Sequence, residues 1–264
     1  TESFFVNLTA PTNATIADAQ GVGTITNDDT APTLAINDVS IVEGNTGTQN
    51  LVFTVTRTGL TALPASFTAA TADGFATAPS DYLAALVGST TIAAGGATGT
   101  TTLSVTINGD FIVETNETFF VNLSAPANAT ISDNQGLGTI TNDDTAGISV
   151  VQSGGTTDVT EGGATDTYTV VLTSQPTADV SVALNGGAQL TPSPTPLLFT
   201  SANWNLPQTV TVTAVDDPVI EGNHSGVVTS AVTSVNGIYN GFVVAPVSVA
   251  ITDNDTPGVT LVES

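Results

Sequence analysis

Residues 2–31 (ESFFVNLTAPTNATIADAQGVGTITNDDTA) return 115 residues later as 117–146 (ETFFVNLSAPANATISDNQGLGTITNDDTA), with six differences in 30 positions. A copy this close means that one folding unit of small-domain size repeats along the chain, so the period has to be read before any local pattern. A weaker copy follows. Ile140-Thr-Asn-Asp-Asp-Thr-Ala-Gly147 comes back as Ile251-Thr-Asp-Asn-Asp-Thr-Pro-Gly258, and Val42-Glu43-Gly44 is matched by Thr160-Glu161-Gly162. The boundaries that follow are 1–29 for the tail of one module, 30–145 for a complete module, 146–256 for a more divergent one, and 257–264 for the opening strand of another. Two strands cannot bury a face of their own. The chain therefore reads as a slice of a longer tandem array, or as a unit whose ends neighbouring chains complete.

Within a module the hydrophobic period is two. Leu51, Phe53 and Val55 alternate with more polar neighbours, as do Leu103, Val105 and Ile107, and Phe119, Val121 and Leu123. Tyr168, Val170 and Leu172, and Val210 and Val212, repeat the pattern further on. Short alternating runs between Gly, Asn, Asp and Pro turns, with no helical period, predict an all-β chain. The expected architecture is tandem immunoglobulin-like antiparallel β-sandwiches of about seven strands each. The segment Thr191-Pro-Ser-Pro-Thr-Pro196 reads as a surface loop, because proline cannot donate within a central ladder.

The charge balance narrows the chemistry. The 264 residues contain 24 acidic residues, one Arg, one His and no Lys, Cys or Met, for a formal charge of −23. Nucleic acid and anionic membranes are excluded as ordinary partners, since both need clustered basic residues. Disulfides and thiolate metal sites are excluded by the missing cysteine. No apolar run reaches the ~18 residues of a membrane span.

In the complete module the acids gather at strand ends: Glu43, Asp73, Asp110, Glu114, Glu117, Asp143 and Asp144. Two carboxylates ~5 Å apart repel by roughly 3 kcal/mol at an effective dielectric near 20. Several together rival the stability margin of a small domain, about 5–15 kcal/mol. Arg57 is the module's single base and lies on a predicted strand, so a divalent cation is the remaining partner. Oxygen donors on loops suit Ca²⁺ better than octahedral Mg²⁺. D110-F-I-V-E-T-N-E117 lacks the spacing of an EF-hand loop.

The order E-G (43–44), D-G…S-D-Y (73–82), G-D-x-x-x-E-x-N-E-x-F-x-V-x-L-S (109–124) and G-T-I-x-N-D-D (138–144) resembles the Calx-beta domain. That family includes the calcium-binding domains of sodium/calcium exchangers and repeats of large bacterial surface and adhesion proteins. The resemblance implies that Glu43, Asp73, Asp110, Glu114, Glu117, Asp143 and Asp144 bind Ca²⁺, with the Ile112 carbonyl facing the metal. Asn142 stands where the exchanger domains have a further Asp. In the partial first module Glu2, Asp28 and Asp29 match. In the third, Glu161, Asp217, the Val219 carbonyl, Glu221, Asp253 and Asp255 fall on matching positions, with Asp216 nearby. Nothing there matches Asp73, His224 replaces the last Glu of the loop, and Asn254 replaces an Asp, so fewer or weaker ions are expected. The run from Phe199 through Trp204 to Asp217 resembles repeats of long bacterial surface proteins.

His224, in a G-N-H-S-G stretch without a nucleophile motif, reads as a solvated loop residue, and Trp204 as an anchor between loop and sandwich. Catalysis finds no support: no triad and no phosphate-cradling loop are present. The expected role is a calcium-rigidified stalk or fibre segment in adhesion or biofilm matrix, outside the cell and bacterial. Its expected partners are neighbouring modules, identical chains in a fibre, surface glycans or other cells. The alternatives are a calcium sensor whose inter-module angle responds to the ion, and a glycan-binding module centred on Trp204.

Overall fold

The computed structural model describes residues 1–235 and 237–258. Most of the expected opening strand at 257–264 lies outside the described residues. The N-terminal hairpin is β1 (Glu2–Asn7) and β2 (Gln20–Ile25). The first sandwich comprises β3 (Thr33–Ile36), β4 (Val39–Val42), β5 (Thr48–Thr58), β6 (Ala65–Asp73), β7 (Leu86–Ile92), β8 (Thr98–Asn108), β9 (Glu117–Ala127), β10 (Thr130–Asp133) and β11 (Gln135–Thr141). The second comprises β12 (Ile148–Gln152), β13 (Asp158–Thr160), β14 (Asp166–Leu172), β15 (Val180–Asn185), β16 (Leu190–Ser193), β17 (Leu197–Phe199), β18 (Gln208–Ala214), β19 (His224–Ser234) and β20 (Val247–Thr252).

Each sandwich pairs a four-stranded with a five-stranded sheet: β10-β3-β5-β8 against β4-β11-β9-β6-β7, and β12-β14-β18-β16 against β13-β20-β19-β15-β17. The alternating residues face inward as their period requires. Leu51, Phe53, Val55, Leu103, Val105, Ile107, Phe119, Val121 and Leu123 lie in the first core, and Tyr168, Val170, Leu172, Val210 and Val212 in the second. The strand count exceeds the expected seven because single segments serve both sheets. Residues 33–42 cross between sheets at Asn37 and Asp38, whose Oδ1 atoms accept the Thr54 and Leu137 N–H groups at 2.6 and 2.7 Å. Those side chains replace the ladder bonds lost at the crossing. Residues 130–141 make the same change of sheet, so β3/β4 and β10/β11 count as two long strands.

The proline segment departs from the loop reading. Pro192 lies in β16, opposite Val212 of β18, and β17 follows on the edge of the facing sheet. Edge strands tolerate proline because one of their sides needs no donor, and the Pro-rich stretch carries the chain from one sheet edge to the other.

The N-terminal hairpin has the register of its copy: Glu2↔Ile25 through Asn7↔Gln20, against Glu117↔Ile140 through Asn122↔Gln135. Phe4, Val6 and Leu8 are exposed where Phe119, Val121 and Leu123 are buried. Among the described residues no helix is long and apolar enough to cross a membrane.

Candidate metal centres

The loops at one end of the first sandwich are tied together by short polar contacts. The Gly44 N–H donates to Asp143 Oδ1 (3.1 Å), and Asn45 Nδ2 donates to Asp144 Oδ1 (2.7 Å). The Gly109 N–H donates to the Gly47 carbonyl (3.0 Å). Gly109 has to be glycine, since a Cβ would sit 2.1 Å from the Gly44 carbonyl oxygen. At the end of β8, Asn108 Nδ2 donates to the Pro79 and Ser80 carbonyls (2.9 and 2.7 Å), while its N–H reaches the Asp81 carbonyl (2.9 Å). The Glu114 N–H donates to Asn142 Oδ1 (3.3 Å).

These ties gather two carboxylate triads. Glu43, Asp143 and Asp144 form one, and Asp81, Glu114 and Glu117 the other; within each, one oxygen of every residue lies within 4.8 Å of the others. Asp110 stands close to both, its charge acting on Glu43, Glu114 and Asp144. Its Oδ1 accepts the Ile112 N–H at 2.7 Å, fixing the start of the loop.

Burial and mutual repulsion both work against the ionised carboxylates here, which is the environment a cation would relieve. Glu43 is 5% exposed, and its Oε1 and Asp144 Oδ2 are buried with no hydrogen-bond partner among the described residues. Burial, reinforced by Asp110, Glu114, Asp144 and Asp143, pushes the Glu43 carboxyl up to about 7. Glu117 is also raised to about 7, first by burial and then by Asp81 and Glu114. Glu114 and Asp144 are raised as well, with burial the leading cause. Arg57 offers no relief. Its buried guanidinium donates to the carbonyls of Gly59, Gly95 and Gly96, far along β5 from the Thr48 end that borders this site.

Of the residues expected here, Glu43, Glu114, Glu117, Asp143 and Asp144 lie in the triads. Asp73 lies apart. Its Oδ1 accepts the Tyr82 hydroxyl (2.6 Å) and the Ala78 N–H (3.0 Å), which hold its carboxyl below the usual range. Asp81, which the sequence reading left out, fills the expected place beside Glu114 and Glu117. Ile112 forms an isolated parallel bridge with Gln175 of the second sandwich. Glu2, Asp28 and Asp29 are exposed beside the N-terminal hairpin, and none joins a triad among the described residues.

The second sandwich repeats the geometry with changes. The Val219 N–H donates to Asp217 Oδ1 at 2.8 Å, as Ile112 does to Asp110. Glu161, Asp253 and Asp255 form one group, and Glu161, Glu221 and His224 another. Asp253 Oδ2 accepts the Glu221 and Gly222 N–H groups (2.8 and 2.6 Å), and its Oδ1 accepts that of Asp255 (2.7 Å). Asp216 Oδ1 accepts Asn254 Nδ2 at 3.1 Å, outside both groups. His224 is no solvated loop residue: it opens β19, with Nδ1 2.9 Å from the Gly222 carbonyl and Nε2 3.4 Å from Glu221 Oε2.

The 109–117 loop also reaches across the module boundary. The Phe111 ring packs on the second core, 5.2 Å from the Trp204 ring, and its carbonyl accepts the Gln175 N–H at 2.7 Å. Trp204, 8% exposed, is the anchor its position predicted, although its partner Phe111 had no signal in the pattern of periods and charges.

Fold and site together define tandem β-sandwiches with carboxylate-lined loops at a sandwich tip. Residues 26–154 match the model of the Calx-beta domain family. Calcium binding is the hallmark of that family. Among solved structures, the apo form of the Calx CBD1 domain aligns with 44% of this chain and all of its own, at 19% identity and TM-score 0.39. The calcium binding domain CBD12 of CALX1.1 aligns with 83% of this chain and 99% of its own, at 16% identity and TM-score 0.42. Among curated proteins none matches the sequence.

Proposed function

We propose that this chain is a calcium-binding structural segment of a long extracellular tandem-domain protein, in which bound Ca²⁺ stiffens the junction between sandwiches. The observation that carries the reading is the shared loop. Asp110, Glu114 and Glu117 face the carboxylate triads, while Phe111 and Ile112 between them contact the second sandwich. An ion ordering that loop therefore also fixes the surface on which Phe111 meets Trp204. Oxygen-only donors on several loops suit the 6–8 ligands of Ca²⁺. Extracellular modules with affinities of about 10⁻⁴–10⁻³ M work at millimolar calcium, a concentration found outside cells. The near-absence of basic residues and the tandem repeat support an array at a bacterial surface, in adhesion or biofilm matrix.

Small-angle scattering tests this. With millimolar calcium the chain is expected to keep one extended shape, and chelation should broaden its distance distribution; Phe111→Ala should do the same with calcium still bound. An unchanged profile on chelation overturns the stiffening role. The shared loop equally favours a regulatory reading, and a change of angle confined to a narrow micromolar calcium range would select that reading instead.

A further inference from the structure

We propose that the second sandwich carries a separate site for a borderline transition metal, with Zn²⁺ as its reference ion, built from Glu161, Glu221 and His224 Nε2. One ligand atom of each residue lies within 4.8 Å of the others. Glu161 is 1% exposed, and neither carboxylate oxygen has a hydrogen-bond partner among the described residues. A buried carboxylate left unpaired is costly, so this one is placed to meet a cation.

The histidine supplies what a calcium loop lacks. Its Nδ1 lies 2.9 Å from the Gly222 carbonyl, which only accepts, so Nδ1–H donates there and Nε2 is the ring nitrogen turned toward the carboxylates. This is the arrangement that metal-bound histidines adopt, with the second nitrogen held by a carbonyl. Nε2 is buried, makes no hydrogen bond, and stands 3.4 Å from Glu221 Oε2. Two donor atoms around tetrahedral zinc, each at about 2.0–2.1 Å from the ion, are about 3.3 Å apart. Gln189 Nε2 steadies Glu221 by donating to both carboxylate oxygens at 3.1 and 3.2 Å.

In the first sandwich Glu114 and Glu117 stand at the positions of Glu221 and His224, and their triad, completed by Asp81, is all carboxylate. Replacing one oxygen donor by imidazole nitrogen moves the preference from hard cations toward zinc and its neighbours. Glu161 and Glu221 also fall on positions that the resemblance assigns to calcium, so the two ions compete for this triad and His224 decides between them, whereas the triads of the first sandwich use other residues.

The test titrates ZnCl₂ into the full chain at pH 7.5 with millimolar calcium already present. It is followed by calorimetry and by nitrogen–proton correlation of the imidazole ring. The sequence has one histidine and no cysteine, so any nitrogen-bound zinc reports on this site alone. About one Zn²⁺ per chain should bind despite the calcium, with the Nε2 resonance shifted and the Nδ1 proton retained. His224→Ala should weaken zinc binding on the order of 100-fold. His224→Glu, which restores an oxygen-only set, should lose the zinc preference and bind calcium instead, with circular dichroism verifying the fold of both variants. Zinc binding unchanged in His224→Ala overturns the proposal, as does displacement of zinc by millimolar calcium. So does a doubly protonated ring indifferent to zinc, which would make His224 the ion-pair partner of Glu221. Calcium uptake by the first sandwich, measured in the same samples, reads the calcium proposal separately.

Discussion

Chelating calcium is expected to lower the melting temperature of the first sandwich by about 20 °C. An ion that binds only the folded state stabilises it by about 2.7 kcal/mol per site at 100-fold excess over Kd. Two triads make about 5 kcal/mol, and a domain of this size loses about 4 °C per kcal/mol. The double variant Asp110→Ala with Glu114→Ala should melt well below the parent in calcium. In chelator it should melt at or above the parent, because the substitution removes repulsion together with ligands. Calorimetric melting of both proteins in both buffers decides this, and equal melting in calcium would count against the site. Single variants separate two aspartates eight residues apart: Asp81→Asn should weaken calcium binding at least ~10-fold. Asp73→Ala should leave affinity within about twofold and cost about 1 kcal/mol of stability through the lost Tyr82 hydrogen bond.

The second large effect is a reversal of the pH dependence of stability. Glu43 and Glu117 are raised from an ordinary 4.5 to about 7 in the metal-free fold. Between those values the folded protein holds more protons than the unfolded chain, so stability falls as pH rises through the window. Glu43 alone accounts for on the order of 1–3 kcal/mol of that fall. Metal-free protein should therefore melt higher at pH 5 than at pH 8. Calcium requires the ionised carboxylates, and protons compete with it. In saturating calcium the order should invert, with the higher melting temperature at pH 8. Glu43→Gln should flatten the metal-free profile. Parallel profiles with and without calcium would show that the raised carboxyls and the ion do not share a site.

The fold was largely legible because period-two alternation survives in strands such as β5, β8 and β14, and Phe53 or Val105 can face only one way once a sheet forms. Less legible were the points where the chain changes sheet. At Asn37 and Asp38 side chains stand in for backbone donors and acceptors, and nothing in hydropathy marks that exchange. Pro192 misled for a related reason, since a proline bars a strand from the sheet centre but not from its edge.

At the site, residue type was legible and position was not. The stretch from Asp73 to Tyr82 offers two aspartates, and the choice between them is made by tertiary contacts. Tyr82, buried and stacked on Phe119 at 4.5 Å, turns its hydroxyl to Asp73. Asn108 meanwhile draws the 79–81 backbone toward Glu114. That asparagine, directly before Gly109-Asp110, was the available signal. Phe111 escaped notice because an apolar residue among carboxylates has meaning only when the neighbouring sandwich is in view.

If cations hold the acidic tip of the first sandwich together, an anomalous difference map from crystals grown in millimolar calcium will locate them. Peaks are expected between Glu43, Asp143 and Asp144 and between Asp81, Glu114 and Glu117, with Asp110 nearby. A map without peaks there, with those side chains turned outward into water, would contradict that role for cations.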